Sequence, residues 1–177
     1  MSLSPSFKRK LQSTLRIYLK NYSISSIQPE EPDTICGYNL IKWDFIIKLR
    51  VYNIDLIIEV ERKRPDPIHN FIKTLIWIEE NNPANKIIFL HVFDSVYSTG
   101  DKPNKEMCDF VWRSIRTKYK SLLYHSLNIS GLSDSNENPP KYPIKRVCDR
   151  ISQVAENLVK AEKNKLDRIQ SRVNRRT

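Results

Sequence analysis

Apolar residues recur along this chain with two periods. After Ser4-Pro5, Phe7, Leu11, Leu15 and Tyr18/Leu19 return every three or four positions, which predicts an amphipathic helix over 5–21 with a basic outer face. SISSIQPEEPD (23–33) is polar and broken by proline, and predicts a loop. Residues 35–40 predict a short strand. Two β-rich runs, about 43–51 and 54–62, meet at Tyr52-Asn53 and predict an antiparallel hairpin. Arg64-Pro65-Asp66-Pro67 stops the second run and opens a helix, because proline fits a first helical turn. Ile68, Phe71/Ile72, Leu75 and Ile78 form that helix's buried stripe, and Asn81-Asn82-Pro83 ends it.

KIIFLHVF (86–93) is an apolar run bounded by turn residues, and predicts a buried central strand. Met107, Val111, Ile115 and Leu122 predict a helix over roughly 104–125. SGLSDSNENPPKYP, 130–143, predicts a linker. Beyond it Val147, Ile151, Val154, Leu158, Ile169 and Val173 mark a long basic helix. Helices alternating with strands in this order give an α/β arrangement, a mixed sheet with helices on its faces. The implied division is an α/β core over 1–128 including the N-terminal helix, a linker over 129–143, and a basic C-terminal helical extension over 144–177.

Charge sharpens this picture. The net charge is +10 and the isoelectric point about 9.6. Residues 1–22 carry Lys8, Arg9, Lys10, Arg16 and Lys20 with no acid, and 141–177 carry eleven Lys/Arg against four Asp/Glu. Two basic ends flank a nearly neutral middle. That layout favours a polyanionic partner, nucleic acid before membrane, although solvated helix faces give the same count. Cys36, Cys108 and Cys148 are odd in number, widely spaced and without a CxxC pair. This argues against a disulfide framework or a cysteine-ligated zinc, and an intracellular, cytoplasmic setting is expected. MSLSPSFKRKLQ lacks the apolar core of a signal peptide, and no apolar run reaches membrane-spanning length, so no membrane partner is expected. With three glycines the chain has no Walker-type or dinucleotide loop.

The chemistry concentrates in WDFIIKLRVYNIDLIIEVERKR, 43–64. Side chains alternate along a strand, so Glu59, Glu61 and Lys63 share one face and Leu56, Ile58 and Val60 the other. Asp44 opens the preceding strand. Carboxylates on neighbouring strands offer hard oxygen ligands to Mg²⁺ and leave a position for phosphate. The ion polarises the phosphoryl oxygen and acidifies a water, which a lysine or a second carboxylate orients or deprotonates. The same EVERKR stretch could instead be the outer face of an edge strand laced with ion pairs. An isolated carboxylate at the apolar position of Asp44 would be costly, which weighs Asp44 and Glu59 toward a site.

An aspartate on one strand, an apolar run ending in Glu-x-(Lys/Glu) on the next, then a helix and a buried strand resemble the PD-(D/E)XK nuclease superfamily. The resemblance covers roughly residues 5–125 and rests on pattern and order. It implies a restriction-endonuclease-like mixed sheet flanked by helices, and a Mg²⁺-dependent endonuclease acting on DNA, with Mn²⁺ as a substitute. Two registers remain open. In one, Glu59 is the acid and Glu61 stands where lysine is usual; in the other, Glu61 is the acid and Lys63 the lysine. Trp43 precedes Asp44 where the family has proline. The roles implied are Asp44 and Glu59 as metal ligands, Glu61 as ligand or base, and Lys63 as the water-orienting cation. A homodimer is compatible, since cutting both strands of a duplex needs two centres. RNA stays open as substrate. So does a second class of function, a nucleic-acid binder on a degenerate nuclease-like scaffold.

Lys73, Arg113, Arg116 and Lys118 are candidate nucleic-acid contacts, the last three on an aromatic–basic helix with Trp112 and Tyr119. Lys73 shares a helical stripe with Asn70 and Trp77 and could replace the missing lysine. The plainer reading of that stripe is a solvent-facing polar face. The plainer reading of Trp112 and Tyr119 is core. His91, inside an apolar strand, reads as a satisfied core histidine.

Overall fold

The computed structural model describes residues 3–24, 26–29, 32–35, 38–61, 68–94, 104–132 and 143–173. Helix α1 (Pro5–Tyr18) starts at an Ser4 N-cap whose hydroxyl accepts from Phe7 N, and proline occupies the first helical turn. Strand β1 (Ser26–Pro29) follows. Strands β2 (Pro32–Ile35) and β3 (Tyr38–Lys42) form a separate antiparallel pair. Strands β4 (Phe45–Leu49) and β5 (Ile54–Glu61), helix α2 (Ile68–Asn81), strand β6 (Lys86–Asp94), helix α3 (Asn104–Ile115), strand β7 (Leu122–Ile129) and helix α4 (Ile144–Val173) complete the order.

The main sheet has the order β1-β4-β5-β6-β7. β4 pairs antiparallel with β1 and β5, whereas β6 runs parallel to β5 and β7. The hairpin forms as its sequence predicts. A single 3₁₀ turn, Arg50–Tyr52, leads into Asn53 at φ 51°, a left-handed position that asparagine tolerates. β6 is buried from Ile87 to Asp94, as expected of a central strand with parallel neighbours.

Alternation sorts the core onto two faces. Phe45, Ile47, Leu56, Ile58, Val60, Ile88, Leu90 and Val92 meet α1 and α4 on one face. Ile57, Phe89, Phe93 and Tyr124 meet Phe71, Leu75 and Ile78 of α2 and Cys108 of α3 on the other. Cys108 and Cys148 are buried thiols in these two separate clusters, neither in a disulfide. Burial pushes the Cys148 thiol up to about 12, which keeps it protonated and unreactive. The C-terminal helix packs its first half into the core through Val147, Cys148, Ile151, Ala155 and Val159. Its second half exposes Leu166 and Ile169. Among the described residues, no helix is long and apolar enough to cross a membrane.

Four local expectations are corrected. The 23–33 loop contains β1, whose Ile27 is buried against the core while Pro29 ends an edge strand, where a missing N–H is tolerated. The single strand over 35–40 is the β2–β3 pair, with a register shift between Asp33 and Ile35. The helix over 104–125 stops at Ile115, and Leu122 opens β7. The spacing Ile115–Leu122 fits two helical turns, but LLYHSLNI pairs with β6 throughout, and burying those residues on a sheet outweighs continuing the helix. Met107, whose helical spacing with Val111 and Ile115 suggests a shared buried face, is exposed, and Cys108 is buried instead.

Candidate functional site

The site forms where the β4–β5 pair ends. Phe45 pairs with Ile58, and beyond that point side chains take over from the ladder. Asp44 N donates to Glu59 Oε2 at 3.1 Å, and Val60 N donates to Asp44 Oδ2 at 2.9 Å. The two carboxylates thus tie the strand ends reciprocally. Glu59 and Glu61 are 3% and 0% exposed, so both carboxylates sit inside the fold rather than on a solvated edge. Their alternation with Ile58 and Val60 follows the sequence expectation.

Helix α2 closes the site from above. Asn70 Nδ2 donates to Glu59 Oε1 and to Glu61 Oε1, both at 2.7 Å. Two carboxylate oxygens therefore converge on one donor group. Asn70 is held over them by a chain that starts beside Asp44. Trp43 Nε1 donates to Thr74 Oγ1 at 3.0 Å, and Thr74 Oγ1 donates to the Asn70 carbonyl at 2.8 Å. The Trp43 ring also meets Trp77 edge-on, centroids 5.0 Å apart. Trp43 is thus a packed anchor that ties α2 to the start of β4, next to Asp44.

From below, His91 of β6 stands in register beside Glu59, and its Nε2 lies 3.2 Å from Glu61 Oε1. Its Nδ1 lies 3.4 Å from the Tyr124 hydroxyl. One tautomer serves both bonds, with Nε2–H donating to the carboxylate and Nδ1 accepting from Tyr124. Burial, reinforced by Cys108 and Asp109, pushes the Tyr124 phenol far up, so it stays a donor at any working pH. Glu61 Oε2 is buried and has no hydrogen-bond partner among the described residues. Such an atom normally costs about 1–3 kcal/mol.

The structure thus brings Asp44, Glu59 and Glu61 together. Lys63 lies outside the described residues. Lys73 is half-buried on α2, one turn from Asn70, and among the described residues makes no ion pair with the carboxylates. The other predicted cations stand elsewhere. Arg116 and Lys118 follow the C-terminal end of α3, where Lys118 and the Tyr119 hydroxyl both bond Glu79 near the far end of α2. Glu79 is nine residues from Asn70, roughly 13 Å along the helix axis. Arg113 lines a cleft of about 370 Å³ beside Asp109, Tyr124 and His125. Trp112 and Tyr119 are partly buried core residues, as the plainer reading expects.

Sequence reading missed two contacts. Asn70, taken as part of a solvent-facing stripe, bridges both glutamates. His91, rightly expected to be buried, is also bonded to the site. The one available signal for Asn70 was its helical spacing from Thr74, four residues on.

His125, on the cleft wall, is half-buried, and that burial lowers its pKa below the usual 6.5. The folded state therefore resists a proton that the unfolded state accepts. Stability is expected to fall as pH drops below about 6.5 and to level off below the folded pKa. Melting temperature against pH tests this, with a shallower acid decline expected for His125→Gln.

Among the described residues, no group of three or more His, Cys, Asp or Glu is arranged to hold a metal ion. The donor set is nevertheless the hard-oxygen type that suits Mg²⁺, and the partnerless Glu61 Oε2 is an acceptor inside it. Compared with protein-family models, curated proteins and solved structures, the chain matches none.

Proposed function

We propose that this chain is a Mg²⁺-dependent endonuclease that hydrolyses phosphodiester bonds in DNA. The carrying observation is the convergence of two buried glutamates on Asn70 beside Asp44. Burying like charges together opposes folding, and such clusters concentrate where chemistry requires them. The element order supports a restriction-endonuclease-like core: a helix, an antiparallel β1–β4–β5 unit, a crossover helix and a parallel strand. Within it, Asp44 precedes the middle strand and the glutamates end the next, where the resemblance implies the ligands. Asp44, Glu59 and Glu61 would hold the ion. When bound, it supplies charge for the phosphoryl oxygen and acidity for a water.

The chain's own residues do the remaining work. Asn70 and His91 orient the glutamates, and Trp43 and Thr74 hold Asn70. Glu61, at the position where the family has lysine, accepts the water's proton or ligates. Lys63 and Lys73 are the candidates for orienting that water. The register favoured here is Glu59-x-Glu61, because both side chains converge on the same donor.

The test is cleavage of supercoiled plasmid with Mg²⁺, Mn²⁺ and EDTA, wild type beside Asp44→Ala. Metal-dependent cutting that is lost in the variant is expected. Wild-type protein that binds DNA but cuts with neither metal would sink the enzyme reading. The second reading, a binder on a degenerate scaffold, draws on Glu61 at the lysine position, and that result would select it. Asn70→Ala is expected to weaken the metal dependence 10–100-fold, as loss of ligand-orienting partners typically does. A titration of cleavage rate against Mg²⁺ measures this.

A further inference from the structure

Several of the chain's lysines pair with acids, and two exposed arginines lie together at the end of the sheet where the site lies. Along α4, Lys163 pairs with Asp167 at 2.6 Å and Lys165 with Glu162 at 2.9 Å. Lys86 reaches Glu162 as well. Arg146 and Arg150 differ. They lie one helical turn apart, both exposed, and neither makes an ion pair among the described residues. Both line a cleft of about 460 Å³ between the start of α4, the end of α1 and the end of β7. Asn128, Ser130, Gln153 and Tyr18 add polar side chains to its walls, and Asp149 is the only acid among the described residues that line it. Two guanidiniums, two amides and two hydroxyls form a polar, donor-rich concavity, in which Arg150 Nη1 also donates to Gln153 Oε1 at 3.5 Å. The ligand it fits is an acceptor with several oxygens and negative charge, and paired arginines favour phosphate through bidentate bonds.

Placement in the sheet identifies which phosphate. Asn128 and Ser130 sit at the C-terminal end of β7, and Glu61 ends β5. β5, β6 and β7 are parallel, so both points lie at the same end of the sheet, two strand spacings or about 10 Å apart. The cleft opens on the α1–α4 face and the carboxylates on the α2–α3 face. A strand crossing the ends of β5–β7 meets both. Arg116 and Lys118 stand at the opposite end.

We propose that the Arg146–Arg150 cleft binds a backbone phosphate of the same DNA whose cleaved phosphate lies at Asp44, Glu59 and Glu61. This rests on the nuclease reading and assigns its substrate track. The contact positions the duplex and does no chemistry.

The test is anisotropy of a labelled DNA duplex with the full chain in EDTA, so that no cutting occurs, over a series of salt concentrations. R146A/R150A is expected to flatten the plot of log affinity against log salt by about 1–2 units, since each phosphate contact contributes about 0.9. Affinity near 0.1 M salt should fall about tenfold, with melting temperature unchanged because both side chains are exposed. R146K/R150K should keep the slope, because the charge remains, and lose part of the affinity with the bidentate geometry. K163A, whose cation is already paired, should match wild type. DNA binding with a wild-type slope in R146A/R150A would overturn the cleft proposal and leave the nuclease reading standing. Wild-type protein with no DNA affinity at any salt would overturn both.

Discussion

Glu59→Ala is expected to reduce Mg²⁺-dependent cleavage by at least about 10²–10³-fold, on the scale of removing one preorganised electrostatic contact from a reaction centre. The side chain has two jobs that must be separated. Its Oε2 accepts from Asp44 N and its Oε1 from Asn70, so it also ties β4 to β5 and α2 to both. Alanine removes the negative charge and leaves those donors unmatched, at about 1–3 kcal/mol for each that water does not reach. Glu59→Gln keeps the shape and one acceptor oxygen while cancelling the charge. If Glu59 is a metal ligand, the glutamine variant should melt near wild type and still fail to cut. A Glu59→Gln protein that cuts like wild type would reduce the residue to a structural tie and remove the central support for the enzyme. Plasmid cleavage read beside thermal melting decides between these outcomes.

Much of this site was legible because strand alternation is strict. Once 54–61 is a strand, Glu59 and Glu61 must share a face with Ile57, and the Tyr52-Asn53 turn must bring 43–44 back beside them. What parity does not supply is depth. Charged residues near a strand end are as compatible with a solvated edge as with a buried pair, and only the packing of α2 above them separates the two. That packing depends on Trp43 reaching Thr74, thirty-one residues away, a contact that local pattern does not encode. The contacts that Asn70 and His91 make with the glutamates escaped the sequence for the same reason. Each satisfies a local rule, polar stripe or buried strand, and its meaning comes from the neighbour it meets. The α3–β7 boundary was misplaced because Ile115 and Leu122 keep helical spacing across a break, while partnership with β6 decides the outcome. Composition located positive charge at both ends of the chain. Pairing within the fold then bears on which of it faces a ligand: on α4, Lys163 and Lys165 are matched by acids, while among the described residues Arg146 and Arg150 make no ion pair.

Removing residues 144–177 is expected to unfold the protein. As a sequence, this segment reads as a basic appendage behind a proline-rich linker, and an appendage could be deleted at little cost. In the fold, Val147, Ile151 and Val159 are buried against α1 and the β5–β7 face. Each large apolar side chain taken fully out of water contributes about 1.5–3 kcal/mol. Three of them approach the roughly 5–15 kcal/mol that holds a whole domain together. The deletion also bares Leu56, Ile58, Leu90 and Val92, part of the central sheet, to solvent. The single substitution Ile151→Ala isolates the effect in a chain that can still fold. It leaves a cavity at a fully buried position and should cost about 2–5 kcal/mol in chemical denaturation at constant m-value. Because Ile151 lies on the opposite face of the sheet from Glu59 and Glu61, cleavage by the folded fraction should be unchanged. A truncated chain with a native-like cooperative transition would show that α4 is dispensable to the core. The Arg146–Arg150 cleft would then sit on a removable arm rather than on the framework that positions the carboxylates.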